Sequence, residues 1–435
     1  MKVINEVFTI PKDKLVSLQA LKGFCQAYIN ENFANSVPIR FIVTSENKDG
    51  YLCEIDLVVK EKETEKGFFD ESKSIFDFNR REFEDTSSFN AAFLIPTGIG
   101  AEVGGHCGDG NVAARLLASA CDTLVTHPNT VNASDLNEMT DNTLYVEGSV
   151  MTQLFMGTVG LQKTRANRIL MLMDTSDDQF FNDEIINSVS AARVTLGVDA
   201  DVYQMKDMIE TDSIFTESGR AAGGVKKLEN LLNTIVKYGD DYDAIGLATA
   251  IEYPEEKSQE YFKTTEEGVN PWGGVEAIIT HSSTIAFNKP CAHSPLTSKM
   301  EGLHLDYGLG VVDPRKASET SSVTYLHCIL KGLQKSPRLV DPNLGFNLSD
   351  ISCLVIPQGC IGLPVLACLE NNIPVIAVKN KNEMRNDLEK LPFKRGQLIY
   401  ADSYIEAAGI MTALKAGLAL DTLKRPINPT TVLGS

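Results

Sequence analysis

Several patterns are scarce or absent in this sequence, and each absence excludes a class of protein. The 435 residues contain 40 Lys and Arg against 58 Asp and Glu, so the formal net charge is −18. Such a chain lacks the cationic surface that nucleic acids and anionic lipids require. No run approaches the ~20 apolar residues of a membrane span, and residues 1–10 lack the apolar core of a signal peptide. We therefore expect no nucleic-acid or membrane partner.

The sequence also lacks a CxxC pair, although it contains nine cysteines. The missing CxxC argues against zinc ribbons and thioredoxin-type motifs, and the odd number of scattered cysteines argues against a disulfide framework. Reduced thiols are typical of a reducing compartment. We therefore expect a cytoplasmic protein.

From about residue 89, short apolar runs alternate with helical patterns. This alternation favours an α/β fold with one or two mostly parallel, doubly wound sheets. The predicted strands are 91–95, 123–126, 168–173, 201–204, 244–248, 277–280, 353–357, 374–378 and 398–401. The predicted helices are 112–121, 183–194, 225–237, 317–333, 362–370 and 404–418. Similar strand-to-loop junctions at 124–127 and 278–281 suggest two similar halves.

The chain divides into four predicted parts. Residues 1–60 read as a small α+β (β-α-β-β) domain with a hairpin around 47–50. Residues 61–88 form a charged linker that contains five phenylalanines. Because so much apolar surface is unfavourable in water, we expect these side chains to dock onto the main domain. Residues 89–425 form the α/β domain, and residues 426–435 form a loose tail.

Histidine is scarce, and four of the six histidines fall in loops after predicted strands: His106, His127, His281 and His293. Ligands bind past the carboxyl ends of strands in open α/β folds. Cys291 precedes His293 by two residues in a loop stiffened by prolines. His127, His281 and His293 could ligate zinc, with Cys291 as a further ligand, or could transfer protons. Each could also be a structural residue.

The loop at 96–111 is rich in glycine and lies between a strand and a helix. Its spacing matches neither the Rossmann fingerprint nor a P-loop, yet such loops cradle anions on backbone N–H groups. The candidate substrate-binding residues are Gly98, Gly100, Gly104, Gly105, Gly108, Asp109 and Asn111, with Asn129 and Asn132 from the next loop. The alternative is a tight turn in which Asp109 or Asn111 caps the helix.

Ser218 and Arg220 lie in a second glycine-containing segment, before the helix predicted at 225. A guanidinium group there could hold a carboxylate or a phosphate. A flexible loop with a solvated arginine is the alternative.

Residues 353–366 resemble the strand-Gly-Cys-x-x-x-Pro-x-Leu segment of the aspartate/glutamate racemases. This resemblance implies that Cys360 is one of two thiols that move a proton on and off a carbon atom, with Cys107 or Cys291 as the second. Such a thiol needs a lowered pKa. A buried, inert Cys360 is the alternative.

A broader resemblance covers roughly residues 90–380. The segments that carry it are 96–100 (PTGIG), 104–109 (GGHCGD), 126–129 (THPN), 145–148 (YVEG), 192–197 (ARVTLG) and 290–295 (PCAHSP). They resemble a family of uncharacterised cyanobacterial and plastid proteins that carries a domain of unknown function. This resemblance implies no activity. Because Cys107 and Cys360 depart from the pattern, it favours His127, Asn129, His281, Cys291 and His293 over the two thiols.

Together these patterns predict an enzyme that acts on a small anionic metabolite. Histidines would perform acid–base chemistry or hold a divalent metal such as zinc for hydrolase or lyase chemistry. One alternative is a cofactor-independent thiol racemase or isomerase. Another is a non-catalytic regulator that binds a nucleotide or metabolite. A homo-oligomer is compatible with each of these.

Overall fold

The structure is a computed structural model that describes residues 1–61, 67–264, 268–296 and 310–434. The strands of the described chain are β1 (Lys2–Ile10), β2 (Ser36–Glu46), β3 (Tyr51–Val59), β4 (Asn90–Phe93), β5 (Thr123–Thr126), β6 (Thr143–Tyr145), β7 (Gly160–Gln162), β8 (Arg168–Asp174), β9 (Asp199–Met205), β10 (Glu210–Phe215), β11 (Ala221–Lys226), β12 (Ala244–Thr249), β13 (Cys291–Pro295), β14 (Arg338–Val340), β15 (Ile351–Pro357), β16 (Ile361–Gly362), β17 (Val375–Val378) and β18 (Leu398–Ala401).

The α-helices, numbered in the same way, are α1 (Lys12–Leu15), α2 (Leu18–Asn32), α3 (Asn111–Ala118), α4 (Pro128–Val131), α5 (Gly148–Phe155), α6 (Gln179–Leu196), α7 (Leu228–Tyr238), α8 (Glu255–Lys263), α9 (Gly273–Phe287), α10 (Leu326–Lys335), α11 (Leu363–Asn371) and α12 (Tyr404–Lys415).

These strands form four sheets. Two are parallel: a six-stranded sheet in the order β18-β17-β15-β4-β5-β6 and a four-stranded sheet in the order β13-β12-β8-β9. The others are an antiparallel six-stranded sheet, β10-β11-β1-β3-β2-β16, and the pair β14-β7. The expected α/β class with parallel sheets is confirmed. The two doubly wound halves and the separate amino-terminal domain stay predictions.

Burial explains why the sequence forms these two kinds of sheet. Every residue of β4, β5, β12 and β17 is buried, as expected for parallel strands covered on both faces. β1 instead carries Asn5 and Glu6 among its buried apolar residues and leaves part of one face open. That mixture is typical of an antiparallel sheet with one solvated side.

The predicted hairpin near the amino terminus is confirmed. β2 and β3 pair in antiparallel register around a turn in which the Asn47 side chain accepts hydrogen bonds from the Asp49 and Gly50 amides at 2.9 and 3.0 Å. A Cβ atom on Gly50 would lie 2.2 Å from the Ile10 carbonyl oxygen, so this turn requires glycine. The sheet that contains this hairpin also takes in β10, β11 and β16 from later in the chain.

The linker phenylalanines behave in two ways. Phe69 and Phe76 are buried, and Phe68 and Phe78 are half-buried against the apolar cores, so the expected burial is confirmed for these four. Their docking onto a separate main domain stays a prediction. Phe83 is exposed, and for that residue the prediction is wrong. The charged start of the linker, residues 62–66, lies outside the described residues.

The predicted strand at 277–280 is wrong, because these residues lie within α9. A run of buried apolar residues does not distinguish a buried strand from a buried helix. The junctions at 124–127 and 278–281 therefore differ: His127 follows a strand, whereas His281 lies inside a helix. The placement of His293 in a loop is also wrong, since it lies within β13.

The predicted helix from residue 225 begins later than expected. Residues 221–226 form β11, and α7 begins at Leu228. Ser218 and Arg220 therefore lie in the turn of the β10–β11 hairpin and do not precede a helix. Likewise, residues 317–320 form a 3-10 turn, and the α-helix begins at Leu326. None of the helices described here is both long and apolar enough to cross a membrane.

Candidate functional site

Two adjoining cavities lie at the carboxyl ends of the two parallel sheets. The inner cavity, of about 90 Å³, is lined by the loops that follow β4, β5 and β6 and by the amino-terminal half of α9. The outer cavity, of about 790 Å³, is lined by residues that follow β12 and end β13. The residues common to both linings are Cys107, Asn132, Asn270, Glu276 and His293. This is the edge at which open α/β sheets bind ligands.

The structure brings three of the four singled-out histidines together. His127, His281 and His293 all line the inner cavity, although they come from a loop, a helix and a strand. His106 lines neither cavity; its Nδ1 lies 2.8 Å from the Tyr261 hydroxyl. Burial, with Lys316 and Arg315 nearby, lowers the pKa of His106 to about 4.

His127 occupies the end of β5, directly before α4, and is 2% exposed. Its Nε2 accepts a hydrogen bond from the Ile95 amide at 3.2 Å, so the proton of the neutral ring resides on Nδ1. Burial lowers the pKa of His127 to about 4, against the opposing effect of Glu147. At neutral pH His127 is therefore an uncharged hydrogen-bond donor.

Glu147 is a buried carboxylate that lines the inner cavity. It caps α5 by accepting a hydrogen bond from the Ser149 amide at 2.7 Å, and its Oε1 accepts one from the Thr280 hydroxyl at 3.0 Å. The same Oε1 lies 2.5 Å from Nδ1 of His281. Burial tends to raise the pKa of Glu147, but His281 and the hydrogen bonds from Ser149 together lower it below its ordinary value.

His281 therefore faces an ionised carboxylate at close range. Nδ1 of His281 has no partner with hydrogen-bond geometry in the described chain, so its contact with Glu147 is electrostatic. The carboxylate favours a proton on Nδ1, and that tautomer leaves Nε2 as the nitrogen that can accept a proton. Gly148 lies against this ring: a Cβ atom on Gly148 would stand 2.8 Å from Cε1 of His281. The glycine at the start of α5 thus makes room for the imidazole.

His293 and Glu276 meet at the junction of the two cavities. Nε2 of His293 lies 2.8 Å from the Thr249 hydroxyl, and its Nδ1 lies 3.7 Å from a Glu276 carboxylate oxygen. The His293 side chain is 1% exposed, yet Nδ1 has no hydrogen-bond partner in the described part of the chain. A buried polar atom of this kind is available to form a hydrogen bond with a ligand.

Glu319 joins the elements around the outer cavity. It accepts hydrogen bonds from the Cys107 amide at 2.8 Å, from the Tyr261 hydroxyl at 3.0 Å and from the Asn270 side chain at 3.1 Å. Burial raises the pKa of Glu319 to about 7. The glycine-rich loop, α8 and the start of α9 thus depend on one carboxyl group that titrates near neutrality.

Most of the glycine-rich loop packs against protein. A Cβ atom would lie 2.6 Å from Glu383 at Gly100, 2.5 Å from Ile95 at Gly104 and 2.1 Å from Ala133 at Gly108. Of the predicted glycines, only Gly98 and Gly105 line the inner cavity. These glycines therefore mainly permit close packing of the loop.

Asp109 and Asn111 lie outside both linings. Asp109 accepts a hydrogen bond from the Gly104 amide at 2.6 Å, and burial raises its pKa to about 7. Asn111 donates to the Val131 carbonyl at 3.0 Å. The alternative that either residue caps the helix is wrong, because Gly110 occupies the N-cap position of α3.

The asparagines of the next loop do line the inner cavity. Asn129 donates hydrogen bonds to the Ile95 and Gly104 carbonyls at 3.0 and 3.3 Å, and Asn132 donates to the Tyr145 hydroxyl at 3.0 Å. Both therefore hold the loops that form the cavity wall.

Arg220 and Ser218 are committed to another part of the protein. Arg220 is 1% exposed and its Nε donates to Glu54 at 2.6 Å, while Ser218 donates to the same carboxylate at 2.7 Å. Neither residue lines the inner or the outer cavity. The predicted solvated arginine is wrong, since burial requires the guanidinium to have a charged partner.

Of the singled-out thiols, Cys291 and Cys360 are buried and Cys107 is half-buried. Burial raises the pKa of Cys107, Cys291 and Cys360 above the ordinary value, so each is a neutral thiol at neutral pH. Cys107 lines both cavities and donates through Sγ to the Asn132 carbonyl at 3.1 Å, whereas Cys291 and Cys360 line neither. The environment of these cysteines does not favour a thiolate.

Sequence reasoning missed three carboxylates of the site: Glu147, Glu276 and Glu319. Glu147 follows a short strand and precedes a helix, a position that could have been recognised. Glu276 lies in α9, directly before the residues 277–280 that were predicted as a strand, and Glu319 carries no local signal at all. Among the described residues that line the two cavities there are six carboxylates and no Lys or Arg.

The fold and the site define a class: an α/β protein with a histidine–carboxylate cavity at the carboxyl ends of its parallel sheets. The chain belongs to the family described as "Protein of unknown function (DUF3326)", whose model matches residues 90–424. It is 30% identical over 345 residues to an uncharacterized lipoprotein of Synechococcus sp., covering 76% of this chain and 92% of that protein. No solved structure matches the chain. The predicted family relationship is confirmed.

Proposed function

We propose that the protein is an enzyme in which His281, oriented by Glu147, transfers a proton to or from a small metabolite. The observation that supports this most is the 2.5 Å contact between Glu147 and His281 inside a cavity that His127 and His293 also line. Histidine titrates near neutrality, which suits a general acid–base group.

The electrostatics of the inner cavity support separate roles for its groups. Glu147, with a lowered pKa, stays ionised at neutral pH and holds the His281 ring in one tautomer. Nε2 of His281 then accepts a proton from the substrate. The neutral His127 ring donates its Nδ1 proton to the substrate oxygen on which negative charge develops.

The divalent-metal version of this proposal has less support. The Nε2 lone pair of His127 is occupied by the Ile95 amide, so that atom is not available to a metal ion. Across residues 1–61, 67–264, 268–296 and 310–434, no group of three His, Cys, Asp or Glu side chains is arranged to hold one. Zinc as a cofactor stays a prediction, and elemental analysis of the purified protein tests it.

The thiol racemase built on Cys360 and the non-catalytic regulator also stay predictions. A racemase needs an accessible thiolate, which a fully buried thiol with a raised pKa does not supply. A regulator would be stabilised by its ligand without converting it. The turnover experiment described next distinguishes the racemase and the regulator from acid–base catalysis.

To test the proposal, the wild-type protein and the variants H281N and E147Q are incubated with a metabolite extract, and substrate loss is followed by mass spectrometry. We expect H281N and E147Q to lower the rate by about 100-fold or more, since positioned acid–base groups contribute that much. H327N is the matched control: His327 lies on α10 outside both cavities, with Nε2 3.0 Å from the Ser188 carbonyl.

Equal turnover in H281N and the wild type would contradict the proposal, provided that circular dichroism shows both to be folded. Stabilisation by a metabolite without turnover in any variant would identify a regulator. Loss of turnover after thiol alkylation, with H281N still active, would identify the racemase.

We keep the cytoplasmic location as a proposal. All nine cysteines are free in the structure, which suits a reducing compartment. The Synechococcus relative is named a lipoprotein, and a lipid anchor would place a protein at a membrane surface. Cell fractionation followed by immunodetection decides between the two locations.

A further inference from the structure

The outer cavity has an acidic and aromatic wall. Its volume of about 790 Å³ is suited to a small-molecule site. The lining residues that the structure describes include five carboxylates, Glu276 and Glu319 among them, and four aromatic rings, but no Lys or Arg. A negatively charged ligand would find no cationic partner on this described wall.

Trp272 and Glu276 place an aromatic ring and a carboxylate next to each other on this wall. They are four residues apart at the start of α9, with the Glu276 amide bonded to the Trp272 carbonyl at 3.1 Å, and so lie on one face of the helix. The Trp272 ring packs edge to face with Tyr253 at 5.9 Å between centroids, and both rings line the cavity. A carboxylate beside aromatic rings is an environment that attracts organic cations.

Glu276 and His293, at the junction of the cavities, are incompletely paired within the described chain. Within the described chain, no Lys or Arg forms an ion pair with the Glu276 carboxylate, which lies 3.7 Å from Nδ1 of His293, and the Glu276 side chain is 24% exposed. Nδ1 of the buried His293 has no hydrogen-bond partner there either. These two side chains mark a position where a ligand group would supply the missing interactions.

We infer that the outer cavity binds the cationic amine group of the substrate, with the ammonium at Glu276 and against Trp272 and Tyr253. This inference rests on the proposed function for the reacting end of the same molecule, which enters the inner cavity beside His281. An organic cation fits better than a metal ion, because aromatic rings supply no ligand atoms to a metal. The substrate class thus differs from the anionic metabolite that the sequence predicts.

The test uses simple probes on the full chain. Butylammonium, putrescine and tetramethylammonium are compared with butanol and butyrate by isothermal titration calorimetry and thermal shift. We expect the ammonium probes to bind and raise Tm, and butanol and butyrate to do neither. E276Q should weaken ammonium binding by about tenfold, because a hydrogen bond to a charged group is lost.

A second pair of variants tests the aromatic wall. W272L should weaken tetramethylammonium binding by about fivefold, whereas W272F, which keeps an aromatic face, should retain most of it. E256Q is the matched charge control, since Glu256 lies on the exposed side of α8 and lines neither cavity. It should leave the affinity within about twofold, because exposed charges are screened by salt.

The inference is overturned if butyrate binds and the ammonium probes do not, or if E276Q and E256Q have equal effects on binding. Failure of the proposed function has another signature. H281N should keep ammonium binding while it loses turnover. Ammonium binding with turnover unchanged in H281N would refute the acid–base proposal alone, and H281N-sensitive turnover without ammonium binding would refute this inference alone.

Discussion

At the scale of single residues, burial decides the charge state of each group in the site. His127 is neutral because it is buried against the Ile95 amide, whereas Glu147 remains ionised because His281 and Ser149 outweigh its burial. Glu319 is equally buried but has no cationic partner among its hydrogen bonds, and its pKa rises. Identical residue types therefore acquire different chemistry from their surroundings.

Glu319 leads to a prediction about stability and pH. Its pKa rises from the ordinary 4.5 to about 7 in the folded protein. Between these values the folded state binds more protons than the unfolded state, so this group makes the free energy of unfolding fall as pH rises. The E319Q variant has no carboxyl group at this position, so its free energy of unfolding does not contain this pH-dependent decrease. The free energy of unfolding of E319Q minus that of the wild type should therefore rise between pH 5 and pH 8, by at most on the order of 3 kcal/mol.

Urea unfolding at the two pH values measures this difference. E256Q serves as the control, because removal of an exposed carboxylate should give a difference from wild type that barely changes with pH. A stability difference between E319Q and wild type that is independent of pH would show that Glu319 titrates at its ordinary value.

At the scale of elements, the site depends on how helix starts meet the sheet edges. α5 begins at Gly148, directly after Glu147, and α9 packs against α5 with His281 next to this start. The Glu147 carboxylate and the His281 imidazole are therefore in contact. The sequence predicted several strands of the parallel sheets well, for example 123–126 and 244–248, because short buried apolar runs are a strong local signal. It failed at α9, where the same signal is ambiguous.

The contact between Gly148 and His281 gives a prediction for α5. G148A places a methyl group 2.8 Å from Cε1 of the His281 ring and should displace it from Glu147. We expect turnover to fall by about tenfold or more, since small displacements of a catalytic group are costly, with Tm little changed.

The measurements are the turnover assay and a thermal melt. G409A, on α12, is the matched control, because a Cβ atom at Gly409 meets no atom within 4 Å. Unchanged turnover in G148A would show that His281 does not need its position beside Glu147.

At the scale of the whole molecule, the antiparallel sheet joins the amino-terminal segment to the rest of the chain. β1 pairs with β11, and across this sheet Arg220 meets Glu54 at 2.6 Å, with Asp56 3.8 Å from the same guanidinium. All three side chains are almost completely buried. The proposed boundary between residues 1–60 and the later domain is thus crossed by a buried ion pair.

This ion pair gives a prediction for global stability. R220M leaves Glu54 buried without its cationic partner, and we expect the free energy of unfolding to fall by about 3–5 kcal/mol. The double variant R220M/E54Q should lose clearly less, because the uncompensated charge is gone while the new amide oxygen at position 54 can still accept hydrogen bonds from Ser218 and Thr216.

Chemical denaturation of the wild type, the single variant and the double variant measures the coupling. Equal destabilisation by R220M and by R220M/E54Q would show that charge burial does not govern this contact.

The sequence by itself determined the α/β class, most strands of the parallel sheets, the hairpin near residue 47 and the family, because these depend on local apolar patterns and motifs. It also pointed to His127, His281 and His293. Only the tertiary structure decided that these histidines share a cavity, that Glu147 holds one of them, and that Arg220 is buried against Glu54. Burial and charge pairing between segments distant in the chain leave no pattern in the local sequence, and those interactions determine what each side chain can do.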